Sequence, residues 1–176
     1  LHAGENRVPV EYHEISPNAI NALIAIEDQR FFEHNGIDMR GIMRAMVENL
    51  KTMHFSQGAS TLTQQVIKNE VLTNEKSITR KVKEQYLAVS LENALEKQLG
   101  SKEEAKKYIL ELYLNTIALH HGLNGVEAAS QYYFGKHASE LTLAESAMIA
   151  GITKHPSKYA PDATEEEIQS AFKPNT

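Results

Sequence analysis

Arg80-Lys81-Val82-Lys83-Glu84-Gln85-Tyr86-Leu87-Ala88-Val89-Ser90-Leu91-Glu92 lies in the longest helical pattern of the chain, and its misfit, Glu84, decides how the fold is read. The pattern runs roughly from Lys76 to Leu99 and stops at Gly100, as a helix followed by a C′ glycine should. Glu84 shares its stripe with Leu87, Ala88, Leu91 and Leu95 ahead of it, and Arg80 and Lys81 stand one turn behind. A carboxylate on an inward face is costly unless it is paired or put to use. Glu27 repeats the anomaly: on a helix opened by Ser16 and Pro17 it shares a face with Ile20, Leu23, Ile24 and Phe31. Either glutamate alone could be a satisfied core carboxylate or a rim residue whose stem covers the stripe.

Outward from these two segments, helix punctuation recurs. Asp38 can cap a helix running to about Met53, Thr61 with Gln64 forms a capping box, and Ser101 with Glu104 forms another ahead of a helix ending near Asn115. Asn124 to Phe134, closed by Gly135, reads as a further helix, and Thr142 with Glu145 boxes one more that Pro156 ends soon after Thr153. Strand character is confined to the alternation from Val8 to Tyr12. The expectation is an all-α globule. The 176 residues, 41% hydrophobic and 23% charged, fit one domain spanning 1–176 rather than two, and argue against disorder. A net charge of −5 gives no sign of a nucleic-acid partner. Cysteine is absent, which removes disulfides and thiolate metal sites. No apolar run approaches the roughly 18 residues of a membrane span, and a chain that begins at Leu1 reads as a piece of a longer protein. Met39, Ile42, Met43, Met46, Val47 and Leu50 stripe the helix after Asp38, with Met53 and Phe55 following. Such a stripe is either core or a surface that meets lipid or a greasy substrate tail.

Chemistry concentrates in three places. Glu27-Asp28-Gln29-Arg30-Phe31-Phe32-Glu33-His34-Asn35-Gly36 sets an acid pair, aromatics and a histidine before a loop. Partial desolvation makes a glutamate a stronger base, so Glu27 is the candidate general base for a sugar hydroxyl. Asp28 either orients a neighbour or binds a cation, or is a solvated helix-end acid, and His34 reads as a structural hydrogen-bonder. Gly58 to Asn69 leads a small-residue loop into a helix N-terminus that favours anions, with Thr61, Gln65 and Lys68 expected on one face for phosphate or sugar oxygens. It lacks the glycine and lysine arrangement of a nucleotide-binding loop. In the third cluster, a surface ion pair contributing about 0 to 1 kcal/mol explains little of why Arg80 and Lys81 flank Glu84; a cationic cleft for a leaving pyrophosphate explains more. His120 and His121 are adjacent rather than at metal-ligand spacing.

In order, these segments resemble the peptidoglycan glycosyltransferases of glycosyltransferase family 51. Five blocks match: Glu27 to Gly36, Gly58 to Asn69, Arg80 to Glu92, Lys107 to Asn115 and Gly125 to Lys136, covering with their spacers about Ile20 to Pro161. The resemblance implies a lysozyme-like helical fold with a small membrane-associated jaw, here about 38–57, and an enzyme that joins lipid II units into β-1,4-linked strands by inverting transfer. Position by position it assigns Glu27 as the base for the acceptor 4-hydroxyl. Glu84 would assist the departing pyrophosphate, directly or through a divalent cation, Mg²⁺ or Mn²⁺; no organic cofactor is implied. Lys68, Arg80 and Lys81 match phosphate-holding positions, and Asp28, Ser60, Thr61 and Gln65 match polar cleft positions. The implied partners are lipid II, a lipid-linked glycan strand and the membrane surface, on the extracytoplasmic face, with a transpeptidase domain in the parent protein. A lysozyme-type lytic glycosidase and a non-catalytic glycan- or lipid-binding module are the rival readings. The sequence departs from the family pattern at His120-His121 and after Pro161, where Glu165-Glu166-Glu167 stands in place of an arginine-bearing helix.

Overall fold

A computed structural model describes residues 6–52, 58–72 and 78–166. The chain packs as two compact units, one made of the residues up to Ile26 together with those from Glu111 onward, the other of Glu27–Leu110. The helices are α1 (Pro17–Glu27), α2 (Met39–Thr52), α3 (Leu62–Glu70), α4 (Ile78–Leu99), α5 (Lys102–Thr116), α6 (Val126–Phe134), α7 (Leu143–Lys154) and the short α8 (Pro156–Tyr159). The all-α expectation holds, and the boundaries fall where local chemistry puts them. Thr61 and Gln64 exchange both bonds of a capping box at the head of α3, as do Thr142 and Glu145 for α7. Gly100 follows α4 in the left-handed region at φ 83° and donates its N–H to Glu96 O, 2.9 Å. Asp38 Oδ1 accepts from Gly41 N–H, 2.9 Å, and so caps α2. Met53, Phe55 and Lys76, expected at helix ends, lie outside the described residues, as does most of the stretch after Asp162.

In the first unit, Ala19, Ile20, Leu23, Leu119, Val126, Ala129, Ile149 and Ile152 form buried core. The strand expected over Val8 to Tyr12 is corrected. A two-residue strand β1 (Asn6–Arg7) pairs in parallel with β2 (Leu123–Asn124), and Tyr12–Glu14 is a 3₁₀ turn. Val10 bonds instead to the Asn115 side chain, whose Oδ1 accepts the Val10 N–H at 2.9 Å and whose Nδ2 donates to Val10 O at 2.8 Å. One amide thus satisfies both backbone groups that a strand partner would have taken. Asn124, expected to begin the next helix, belongs to β2, and Gly125 is the N-cap of α6. His120 and His121 both adopt left-handed backbone (φ 69° and 47°) with ring centroids 4.1 Å apart.

In the second unit, α1 ends at Glu27, so Phe31 does not extend its face as the periodicity suggests. Phe31 is fully buried in the turn that follows, edge-on to Phe32 and His34. On α2 only Gly41 and Ala45 are buried. Met39, Met43, Met46, Val47 and Leu50 are all exposed, Leu50 at 77% and Met43 at 66%. The reading of that stripe as core is therefore wrong for the described residues, and the reading as an outward apolar face stands. Among the described residues, no helix is long and apolar enough to cross a membrane.

Candidate active site

The site belongs to the second unit and is organised by the first turn of α3. Thr61, the N-cap, donates its hydroxyl to Gly36 O at 2.6 Å and accepts the Gln64 N–H at 3.1 Å. The Leu62 N–H, one of the orphan donors at the helix start, goes to Asp28 Oδ2 at 3.0 Å. Thr63 donates to Glu92 Oε1 at 2.5 Å. Gln64 returns its Oε1 to the Thr61 N–H at 3.1 Å and donates Nε2 to Glu84 Oε1 at 3.1 Å. Gln65 donates Nε2 to Glu27 Oε2 at 2.9 Å. Consecutive residues of one helical turn thus each take a different partner, and neighbouring glutamines reach the two candidate acids. Because successive side chains on a helix diverge by about 100°, Gln64 points inward and Gln65 is half-buried.

The two acids sit in different surroundings. Glu84 is 2% exposed and accepts from Gln64, from Arg80 Nη1 at 3.0 Å and from Lys81 Nζ. Lys81, 40% exposed, also donates to Ser60 Oγ at 2.7 Å, so it joins the α3 entry loop to the buried carboxylate. Glu27 is half-buried at the end of α1, with the Gln65 amide on one oxygen. Arg80 and Lys81 bring positive charge to Glu84. Lys68 is exposed three residues beyond Gln65 on the same face of α3.

Two expectations are corrected. Thr61 does not share a face with Gln65 and Lys68: as N-cap it has extended backbone (φ −77°, ψ 165°), so helical spacing does not apply to it, and its side chain is 1% exposed. Asp28 is not a solvated helix-end acid. It is buried, its Oδ2 holds the Leu62 N–H, and His34 Nε2 lies 2.8 and 3.1 Å from its two oxygens. The structural reading of His34 agrees with this geometry. Beside it, Asp38 has its carboxyl below the usual range: burial pushes it up, but the Arg30 guanidinium and the Gly41 N–H outweigh that. Arg30, His34, Asp38, Met39 and Arg40 line an open cleft of about 280 Å³ whose walls include neither Glu27 nor Glu84.

Glu92 and Lys106 escaped the sequence reading. Both are buried, with Lys106 Nζ 2.8 Å from Glu92 Oε1. The signal was present: each is a charge among buried residues of its own helix, Glu92 beside Ala88 and Leu95, Lys106 beside Ala105, Ile109 and Leu110. The two oxygens of Glu84 accept from an amide and two cationic side chains. Among the described residues no group of three or more His, Asp or Glu side chains could hold a metal ion.

Comparison with known proteins gives this geometry a lineage. The transglycosylase family model matches residues 1–174. The chain is 48% identical to penicillin-binding protein 1A of Escherichia coli over 157 residues, 89% of this chain and 17% of that protein. It is 44% identical to penicillin-binding protein 2D of Bacillus subtilis over 170 residues, 97% of this chain and 23% of that protein. Penicillin-binding protein 1A of Aquifex aeolicus is 45% identical over 157 residues, 89% of this chain and 20% of that protein. The chain therefore spans about a fifth of the length of the curated relatives it matches. With the ordered motif blocks and the helical fold that carries them, these matches establish that the chain belongs to the transglycosylase family, the peptidoglycan glycosyltransferases of glycosyltransferase family 51.

Proposed function

We propose that this domain polymerises lipid II into β-1,4-linked glycan strands, with Glu27 as general base and Glu84 at the leaving-group side. The observation that carries the reading is the placement of Glu27 and Glu84 on adjacent amides of α3, Gln65 and Gln64, with Arg80 and Lys81 gathered on Glu84. Inverting transfer asks for a base at the acceptor and positive charge at the leaving group. Glu27 takes the proton from the acceptor 4-hydroxyl as its oxygen attacks the donor anomeric carbon from the face opposite the pyrophosphate. The C–O bond to pyrophosphate breaks as the new glycosidic bond forms, and α becomes β. Negative charge collecting on the leaving group meets Arg80, Lys81 and Lys68, while Glu84 holds the first two in position. Ser60 and Gln65 offer polar contacts at the cleft edge, and Asp28 and Thr61 act by fixing the start of α3.

The outward apolar face of α2, with Arg40 and Arg44 on the same helix, supports a jaw that rests on the membrane and receives the lipid tail. The relatives are named penicillin-binding proteins, and we assign this domain to a parent of that kind, anchored at the extracytoplasmic face and carrying a transpeptidase domain. The test is Glu27→Gln: lipid II binding persists while polymerisation falls by about 10²-fold, the order expected for loss of a positioned base. Near-normal strand synthesis by that variant removes Glu27 from the role. Release of soluble muropeptides from finished peptidoglycan, without strands from lipid II, would favour the lytic alternative instead.

A further inference from the structure

Lys106 is a buried cation of the second unit and has no part in the mechanism so far. It is 1% exposed, and its burial depresses the ammonium pKa, which Glu92 only partly restores. A methionine would fill the same space without the several kcal/mol that an ammonium forfeits on leaving water. Its contacts show where that cost goes. Nζ lies 2.8 Å from Glu92 Oε1, the same oxygen that accepts the Thr63 hydroxyl at 2.5 Å. It also sits 4.3 Å above the Phe31 ring and 3.5 Å from His34 Nδ1. At that separation an ammonium disfavours a proton on Nδ1, which leaves Nε2 to carry it toward Asp28, and Asp28 in turn holds the Leu62 N–H. One cation therefore governs two of the anchors of the α3 first turn, at Thr63 directly through Glu92 and at Leu62 through His34 and Asp28.

We infer that Lys106 is a positioning residue for glycosyl transfer, fixing from within the core the helical turn whose next two residues, Gln64 and Gln65, hold Glu84 and Glu27. The inference rests on the reading of those two glutamates as the reacting pair. It predicts a loss in turnover without a loss in substrate affinity, since Lys106 is only 1% exposed.

The test uses the full chain and lipid II. The paired change Lys106→Met with Glu92→Gln removes both charges at once, so neither is left buried alone, and Gln at 92 still accepts from Thr63. The paired variant keeps its melting temperature and its KM, while kcat falls by at least about tenfold, as for a small misplacement of reacting groups. Unchanged kcat in the folded variant overturns the inference. Should that variant not fold, Thr63→Val cuts the link to Glu92 while sparing the ion pair; a lowered kcat at constant KM supports the proposal, and wild-type kcat refutes it. The ¹⁵N shifts of His34 read the second arm separately: removing the ammonium 3.5 Å from Nδ1 should move the Nδ1 shift in the Lys106 variant, and an unchanged shift would remove the arm through His34 and Asp28. Glu27→Gln runs alongside. If that variant polymerises normally, the assignment of the reacting pair fails and this inference falls with it; if it is inactive while the Lys106 variants match the wild type, the positioning role alone fails.

Discussion

Replacing Gly36 with alanine tests the junction on which the α3 start depends. Gly36 has φ +84°, and a Cβ built there would stand 2.7 Å from the backbone C and O of Ala88 and 2.7 Å from the N of Val89. These are main-chain atoms in the middle of α4, which cannot rotate aside. The left-handed backbone costs a non-glycine residue about 1–2 kcal/mol, and forcing a methyl against a fixed neighbour adds about 1–3 kcal/mol. Gly100 supplies the control, because its φ of +83° carries the same backbone penalty while nothing lies within 4 Å of its would-be Cβ. Denaturant unfolding of the two variants should therefore differ by about 1–3 kcal/mol, with Gly36→Ala the less stable. In melting temperature each kcal/mol corresponds to roughly 2–4 °C for a chain of this size. The carbonyl of Gly36 accepts the Thr61 hydroxyl, so displacement of this loop also loosens the N-cap, and glycosyl transfer falls with stability. Equal stability of the two variants would show that the loop and α4 are not in the contact described, and the reasoning would fail.

Gln64→Leu leaves the buried Thr61 N–H without its acceptor and deprives Glu84 of a donor; a loss of about 1–3 kcal/mol in urea unfolding is expected. Gln65→Leu, half-buried and outside the capping box, costs less stability and acts on turnover, and the reverse ranking would contradict the division of labour in α3. Serine at Met43, Met46 and Leu50 together should shift stability by no more than about 0.5 kcal/mol per site, because these side chains are already exposed. Co-sedimentation with vesicles should drop sharply, and undiminished binding would remove the membrane role of α2. In the first unit, burial pushes the Glu127 carboxyl up, but the Ala138 N–H, Gln131 and His137 together hold it below 4.5, while its bond to His137 holds that imidazole above 6.5. The Glu127 contribution is present above pH 4.5 and lost as pH falls through the folded value; that of His137 is complete below pH 6.5 and lost as pH rises through its folded value. An NMR titration should place the His137 midpoint above 6.5 in the wild type and lower in Glu127→Gln than in the wild type.

What could be read from the sequence is what short-range chemistry encodes. The capping boxes at Thr61 and Thr142, the Gly100 stop and the two misplaced glutamates all depend on residues within a turn or two of one another. Partners distant in sequence could not be read in this way. Nothing near Thr61 announces that its hydroxyl belongs to Gly36, 25 residues earlier, and nothing near Val10 points to Asn115. The α2 stripe was ambiguous for another reason: periodicity reports that a face is apolar and not what covers it. Glu92 and Lys106 were detectable by the criterion that exposed Glu84, a charge where oil belongs, and were passed over because each ended or preceded a block of stronger motif character.

The first turn of α3 makes this domain intolerant of insertions and deletions at one spot. One added residue between Thr61 and Gln64 would rotate everything after it by about 100°, and the amide meant for Glu84 would be presented where Glu27 expects its own. A point substitution there weakens one bond, whereas a codon gained or lost misassigns the whole set.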